Sequence, residues 1–208
     1  MSESMLAIPV GRVLRANLTS YVIGCRAQTE QLPAFGSLVK TDADEPVLGL
    51  VYDIVMGDDP LVKQLTVAGN RVPEEIVQDQ LQNRRLPVEI SVLATGYYDG
   101  GRTRQGIPPR PPLSLDFIFR CDDDELTAFT ERSGYFSLLL GNREAPADEL
   151  LVAHLQQAAA ARPSPTDEYF LQDAGRELAR LLAGEMLRLD AILRRITSEN
   201  NERRIKPG

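Results

Sequence analysis

Apolar residues in the first 120 positions come in short runs, several of which alternate with polar residues at a period of two. In the stretch 88–92 (Val-Glu-Ile-Ser-Val) every second residue is apolar, as in a strand with one buried face. The runs are rich in β-branched residues, leucine and tyrosine, and residues that favour turns bound them. This pattern predicts strands at about 8–16, 20–27, 36–41, 47–56, 87–98 and 113–120.

Two short helices are predicted between the fourth and fifth of these strands. Asp59 followed by Pro60 is an N-cap with proline at the first helical position, which indicates a helix over 60–65. Pro73 and the two glutamates after it indicate the start of a second helix. Because helices and strands do not alternate regularly, a small closed β-barrel with inserted helices is expected rather than a parallel sheet.

The period changes to that of helices at about residue 121. The acidic run 122–125 has the spacing of a capping box, and an alanine-rich stretch over 147–161 is expected to be helical. Between them, Ser133 is expected to cap a short helix that Gly141 ends.

A single long helix is expected from Thr166 to about 197. Its apolar residues share one face at 3.6 residues per turn, which suits either packing on neighbouring helices or binding of a partner. These residues are Leu171, Ala174, Leu178, Leu182, Met186, Leu189, Ile192, Leu193 and Ile196. The predicted class is therefore α+β, with a barrel over 1–120, a C-terminal helical domain over 121–197 and a flexible tail over 198–208.

Composition and charge narrow the classes of function. The chain has 208 residues, of which 43% are hydrophobic, and a net charge of −7. Residues 1–120 carry 12 basic and 14 acidic side chains and residues 121–208 carry 11 and 16, so neither half has the concentrated positive field of a nucleic-acid-binding module. The N-terminus lacks the pattern of a signal peptide, and no apolar run approaches the ~20 residues that span a bilayer. The two cysteines suggest no disulfide framework, and a cytoplasmic protein without membrane contact is expected.

The residues that could carry chemistry are few. No phosphate-binding loop is present, and the lone His154 has no second ligand at metal-binding spacing, so it is interpreted as a surface or packing residue. Cys25 is expected to act as a small hydrophobe in a strand. Cys121 precedes acidic residues that raise a thiol pKa, and helix capping explains those acids without a cation. We predict no catalytic residue, metal site or cofactor.

The segment 99–112 combines three glycines, three arginines and a proline run. It is interpreted either as a stiff connection into the last strand or as a mobile arm. In the second case Arg102, Arg104 and Arg110 bind phosphate or an acidic partner. The exposed flank of the helix expected over 166–197 is the other candidate partner surface.

Three short motifs resemble those of the HAS-barrel family. They are Val10-Gly11-Arg12-Val13, Phe35-Gly36-Ser37-Leu38-Val39 and Leu48-Gly49-Leu50-Val51-Tyr52. HAS-barrels form the front domain of HerA-type DNA translocases and, in related form, of rotary ATP synthase subunits. The resemblance implies a structural role for Gly11, Phe35, Gly36 and Gly49, with the glycines at sharp bends or bulges.

Further motifs resemble a narrower group of stand-alone HAS-barrel proteins. They are the proline run 108–112, the stretch 119–123 and Phe129-Thr130-Glu131. The chain differs from the motor subunits after the barrel: the motor subunits continue into an ATPase domain, whereas this chain continues into helices. Catalysis is therefore not implied, whereas a role in assembly is.

Three hypotheses follow from the sequence. The first is a non-catalytic assembly or adaptor protein that partners a HerA-like ATPase or a NurA-like nuclease in DNA processing, with self-association left open. The second is a barrel that binds nucleic acid directly, for which Tyr97 and Tyr98 beside Arg102 and Arg104 are the candidate platform. The third is an enzyme with an unrecognised site. Regulation or ligand sensing is the remaining possibility.

Overall fold

A computed structural model describes residues 8–27, 32–57, 86–163 and 166–205. Six antiparallel strands close a barrel, and the order around the ring is β2-β1-β7-β3-β4-β5 and back to β2. A seventh strand, β6, pairs with β5 beside the ring. The strands are β1 (Gly11–Ala16), β2 (Ser20–Ala27), β3 (Leu38–Thr41), β4 (Val47–Met56), β5 (Leu86–Asp99), β6 (Arg102–Gln105) and β7 (Phe117–Arg120).

Alternation along the strands separates two layers of core. One cluster of buried residues, which includes Val13, Ile23, Ile90 and Ile118, fills the barrel interior. Residues on the opposite face of β3, β4 and β5, such as Leu50, join a second cluster with the helices. The helical layer therefore covers one side of the barrel, because apolar residues face outward there and need a partner layer.

Five helices follow the barrel within the described residues. They are α1 (Asp123–Phe129), α2 (Phe136–Gly141), α3 (Ala147–Ala160), α4 (Thr166–Leu181) and α5 (Met186–Ile205). The predicted capping box is confirmed, since the Asp122 carboxylate accepts from Glu125 N–H and the Glu125 carboxylate accepts from Asp122 N–H. The Ser133 side chain does not cap α2, which has no side-chain cap.

The expectation of one helix over 166–197 is wrong. The chain breaks after α4, where Gly184 has φ +100°, and α5 then begins at Met186 and runs to Ile205. A residue with positive φ ends a helix, and glycine adopts it without steric cost. Met186, which was placed on the apolar stripe, is consequently exposed at the start of α5.

The predicted closed barrel and the mixed α+β class are confirmed, with strands mostly N-terminal and helices C-terminal. The first, third and sixth predicted strands are shorter than expected, and β6 was not predicted. The two helices predicted near 60–65 and after Pro73 lie outside the described residues. The domain division at 120 and the tail at 198–208 stay predictions, although one buried cluster joins barrel and helices.

Candidate partner-binding surfaces

The predicted arm is a β-hairpin followed by an extended segment. Gly100 and Gly101 both have positive φ, of 54° and 78°, and form the turn between β5 and β6. Arg102 and Arg104 lie on β6 and are exposed. Arg110 is also exposed but lies outside that strand, in the proline run, so the structure brings only two of the three predicted arginines onto one strand.

The proline run forms one wall of an open groove of about 710 Å³. The turn between β3 and β4 also lines the groove and contributes Asp42, Asp44 and Glu45, and Tyr97 lines it as well. Arg110 is the basic side chain that lines it. The groove is thus mainly acidic. Arg110 lies among these acidic residues, whereas Arg102 and Arg104 do not line the groove.

The acidic start of α1 is accounted for by local structure. Glu125 completes the capping box and also forms an ion pair with Lys40 of β3. Burial, together with the charge of Glu125, raises the pKa of the Cys121 thiol to about 12. A thiol with so high a pKa is a poor nucleophile at neutral pH. Burial also raises the pKa of the half-buried Cys25 thiol.

The described residues contain no group of three or more histidine, cysteine or acidic side chains placed to hold a metal ion. In the same part of the chain, no helix has the length and apolar character needed to cross a membrane.

His154 is a residue of α3, and its side chain is buried against the loop that precedes β3. Its Nδ1–H donates to the carbonyl oxygen of Gly36 at 3.0 Å, whereas its Nε2 has no partner. The rings of Tyr135 and Phe129 pack edge-on against the imidazole. Burial lowers the pKa of His154 to about 4, so the ring is neutral at pH 7.

The residues quoted for the HAS-barrel resemblance occupy close-packed backbone positions. Gly36 has φ +84°, and a Cβ there would lie 2.9 Å from the backbone nitrogen of His154. A Cβ on Gly11 would lie 2.5 Å from the Gly24 carbonyl oxygen, and one on Gly49 would lie 2.7 Å from the Leu93 carbonyl oxygen. Phe35 packs partly buried against the shared core.

An exposed apolar surface lies on the side of the barrel where β1 pairs with β7. Leu113 and Leu115 are 71% and 65% exposed, and Phe117 is 36% exposed. We call these three residues the apolar loop surface. The guanidinium of Arg12 lies 3.6 Å from the centre of the Phe117 ring and donates to the Leu115 carbonyl oxygen at 2.9 Å.

The backbone of this surface is strained and held in place. Leu115 has φ +75°, the only positive φ at a non-glycine residue in the described chain. Such a conformation costs on the order of 1 kcal/mol and persists where surrounding contacts impose it. Leu115 N–H donates to the Val13 carbonyl at 2.8 Å, and Leu113 N–H donates to the Asp116 carboxylate at 2.9 Å. The fold therefore fixes two leucine side chains in solvent.

Sequence reasoning missed this surface and named the polar arm instead. The leucines lie in a segment assigned to a strand, where apolar residues are expected to be buried. The positive φ of Leu115 could not be inferred from the sequence either, because no glycine stands there as a signal.

Comparisons with known proteins do not assign the chain to a family. No protein-family model matches the chain, and no curated protein is significantly similar to it. The likeness to HAS-barrels accordingly stays a resemblance in short motifs joined to a closed barrel fold.

Proposed function

We propose that the protein is a non-catalytic assembly or adaptor protein that partners a HerA-type DNA translocase or its NurA-like nuclease in DNA processing. The observation that carries the proposal is the apolar loop surface of Leu113, Leu115 and Phe117. These three exposed apolar residues lie within five positions of the chain, and clustered exposed apolar residues can mark sites of protein association. The helical layer leaves these residues uncovered while covering the outer face of β3, β4 and β5.

Strain supports a binding role for this surface. Leu115 adopts an unfavourable backbone conformation and presents an apolar side chain to water, which benefits neither stability nor solubility. A partner that buries the two leucines offsets both costs. Arg12, stacked on Phe117, adds a residue type that is enriched where interfaces are most strongly bound.

The test combines this protein with a purified HerA-like ATPase and a NurA-like nuclease from the same genome. We expect a complex that survives physiological salt, because an apolar interface responds weakly to ionic strength. Leu113→Ser combined with Leu115→Gly should abolish it, and glycine accommodates the positive φ at 115. Val55→Ser combined with Met56→Ser is the matched control, since both residues are exposed apolar residues on β4, outside either candidate surface.

A second candidate is direct binding of single-stranded nucleic acid. Phe117 and Phe119 lie with ring centres 6.4 Å apart, and Arg12 is adjacent, which resembles the aromatic and basic platforms of such proteins. Arg12 already covers one Phe117 face, however, and the most exposed neighbours are leucines, on which bases do not stack. Salt-sensitive binding of single-stranded DNA that Phe117→Ser abolishes, without complex formation, would favour this candidate.

A further inference from the structure

One strand of the described fold has an open edge. Every strand of the barrel ring has a hydrogen-bonded neighbour on both sides, because closure removes edges. Within the described residues β6 has a neighbour only on one side, where it pairs with β5. Its far side carries backbone groups that pair with no other described strand.

The register shows which backbone groups face outward. The two-residue turn at 100–101 has positive φ at both positions, which is the hairpin geometry that makes the flanking residues a hydrogen-bonded pair. Hydrogen-bonded and non-bonded pairs then alternate along an antiparallel ladder. The backbone groups of Arg102 and Arg104 therefore face β5, and those of Thr103 and Gln105 face away from it.

The edge is fixed in position and positively charged. The Gln105 amide donates to the carbonyl oxygens of Phe129 and Arg132 at 2.7 and 2.8 Å, which ties β6 to the helical layer. Arg102 and Arg104 are exposed on one face of the strand. Arg104 forms a salt bridge with Asp99 at 3.3 Å, with both side chains about half exposed, so the pair is weak.

We propose that β6 binds an extended acidic segment of a partner protein, which adds to β6 as a further strand. Backbone hydrogen bonds to Thr103 and Gln105 would supply affinity, as in other cases of strand addition. Acidic side chains at alternate positions of the partner would lie opposite Arg102 and Arg104 and supply selectivity.

Charge disfavours a second copy of this chain as the added strand. In an antiparallel pair of two β6 strands centred on Thr103, Arg102 of each copy would lie opposite Arg104 of the other. Like charges directly opposite each other destabilise a sheet. Short edge strands bearing basic residues resist self-association in the same way, whereas an acidic strand meets no such barrier.

The test uses the full chain and a fluorescein-labelled peptide, Thr-Glu-Val-Glu-Val-Glu-Thr, followed by fluorescence anisotropy. Thr103→Pro should weaken binding about tenfold or more, because it removes an outward N–H while leaving the ladder to β5 intact. Thr103→Val keeps the N–H and is the matched control. Arg102→Glu combined with Arg104→Glu should abolish binding, and the same peptide with lysine for glutamate should not bind.

NMR spectra of the backbone amides, recorded with and without the peptide, locate the binding site. We expect the largest chemical-shift changes at Thr103 and Gln105, and unchanged melting temperatures for the Thr103 variants show that the hairpin is intact. No binding of the acidic peptide up to about 1 mM would overturn the proposal. Peptide binding that Thr103→Pro leaves unchanged would also overturn it, because charge alone would then explain the binding. Binding of single-stranded DNA with equal affinity would overturn it as well. The peptide assay needs neither the ATPase nor the nuclease, so its failure is distinct from failure of the adaptor proposal.

Discussion

The imidazole of His154 donates from Nδ1 to the carbonyl oxygen of Gly36 at 3.0 Å and so joins α3 to the loop that precedes β3. One turn further along α3, the Gln157 amide donates to the neighbouring carbonyl of Phe35 at 2.8 Å, and its oxygen accepts from the Ser37 hydroxyl at 3.0 Å. These contacts place two side chains of one helix on three consecutive loop residues. The helical layer is therefore registered on the barrel by specific hydrogen bonds as well as by apolar packing.

Acid should destabilise the protein through His154. Its folded-state pKa of about 4 lies below the ordinary value of 6.5, because of burial and the nearby charge of Arg162. Between about pH 6.5 and pH 4, the unfolded chain binds a proton that the native chain excludes. The free energy of unfolding is therefore lower by about 3 kcal/mol at pH 4 than above pH 6.5. Denaturant unfolding measured across this range should show the loss.

His154→Gln provides the comparison, since His154 is the only histidine in the chain. The variant is expected to be less stable at pH 7 because it disturbs a buried aromatic contact. Its stability should nevertheless fall less steeply with pH than that of the natural protein. Identical slopes above pH 5 would show that His154 does not govern this range.

Substitution of the barrel glycines should be costly where the backbone is crowded. A Cβ at Gly49 would lie 2.5 Å from the Val92 Cγ1 atom, so Gly49→Val should destabilise by roughly 1–3 kcal/mol or more. Gly141 has no atom within 4 Å of its Cβ position, and its φ is not positive, so Gly141→Ala should be neutral or slightly stabilising. Equal denaturation midpoints for the two variants would contradict this expectation.

Arg162, a buried charged residue just after the C-terminal end of α3, should contribute strongly to stability. Its guanidinium donates to the Thr130 hydroxyl at 2.7 Å and to the Ala158 carbonyl at 2.6 Å, and it lies 3.9 Å from the centre of the Phe170 ring. Arg162→Met leaves the buried acceptors unpaired, so we expect a loss of about 2–4 kcal/mol. Arg143→Met, at an exposed arginine, should stay within about 0.5 kcal/mol by thermal or chemical denaturation.

The protein is expected neither to bind nor to hydrolyse ATP, because the sequence contains no phosphate-binding loop. A ligand that binds only the native state raises the melting temperature. Melting curves with and without magnesium and ATP should therefore coincide, with a P-loop ATPase measured alongside to show that the assay responds. A rise in melting temperature that depends on nucleotide concentration would refute the prediction.

DNA is expected to bind weakly or not at all at physiological salt, in keeping with the net charge of −7. Tight binding that is lost on replacing Arg102, Arg104 and Arg110 with glutamate would instead support the nucleic-acid-binding barrel. The measurement is a salt series with duplex and single-stranded DNA, because phosphate contacts give a steep salt dependence.

Features set by neighbouring residues could be predicted from the sequence, and those set by distant contacts could not. The capping box of Asp122 and Glu125 depends on a spacing of three residues and was predicted correctly. The break at Gly184 was missed because the apolar stripe continues through it at helical period, and this pattern outweighed the glycine as a signal for a helix end. Strand β6 was missed because Arg-Thr-Arg-Gln has no apolar residue, and its pairing with β5 depends on the preceding turn.

The ring order has a consequence for how the chain folds. Strand β7 lies between β1 and β3, although it is the last barrel strand in sequence. A nascent chain that ends before Phe117 would leave β1 and β3 with open edges, however complete the other pairings were. Pairings between residues so far apart in sequence form slowly, because the intervening loop must close first. The N-terminal strands thus remain liable to aggregation until residue 120 has been synthesised, a period during which a chaperone has most to protect.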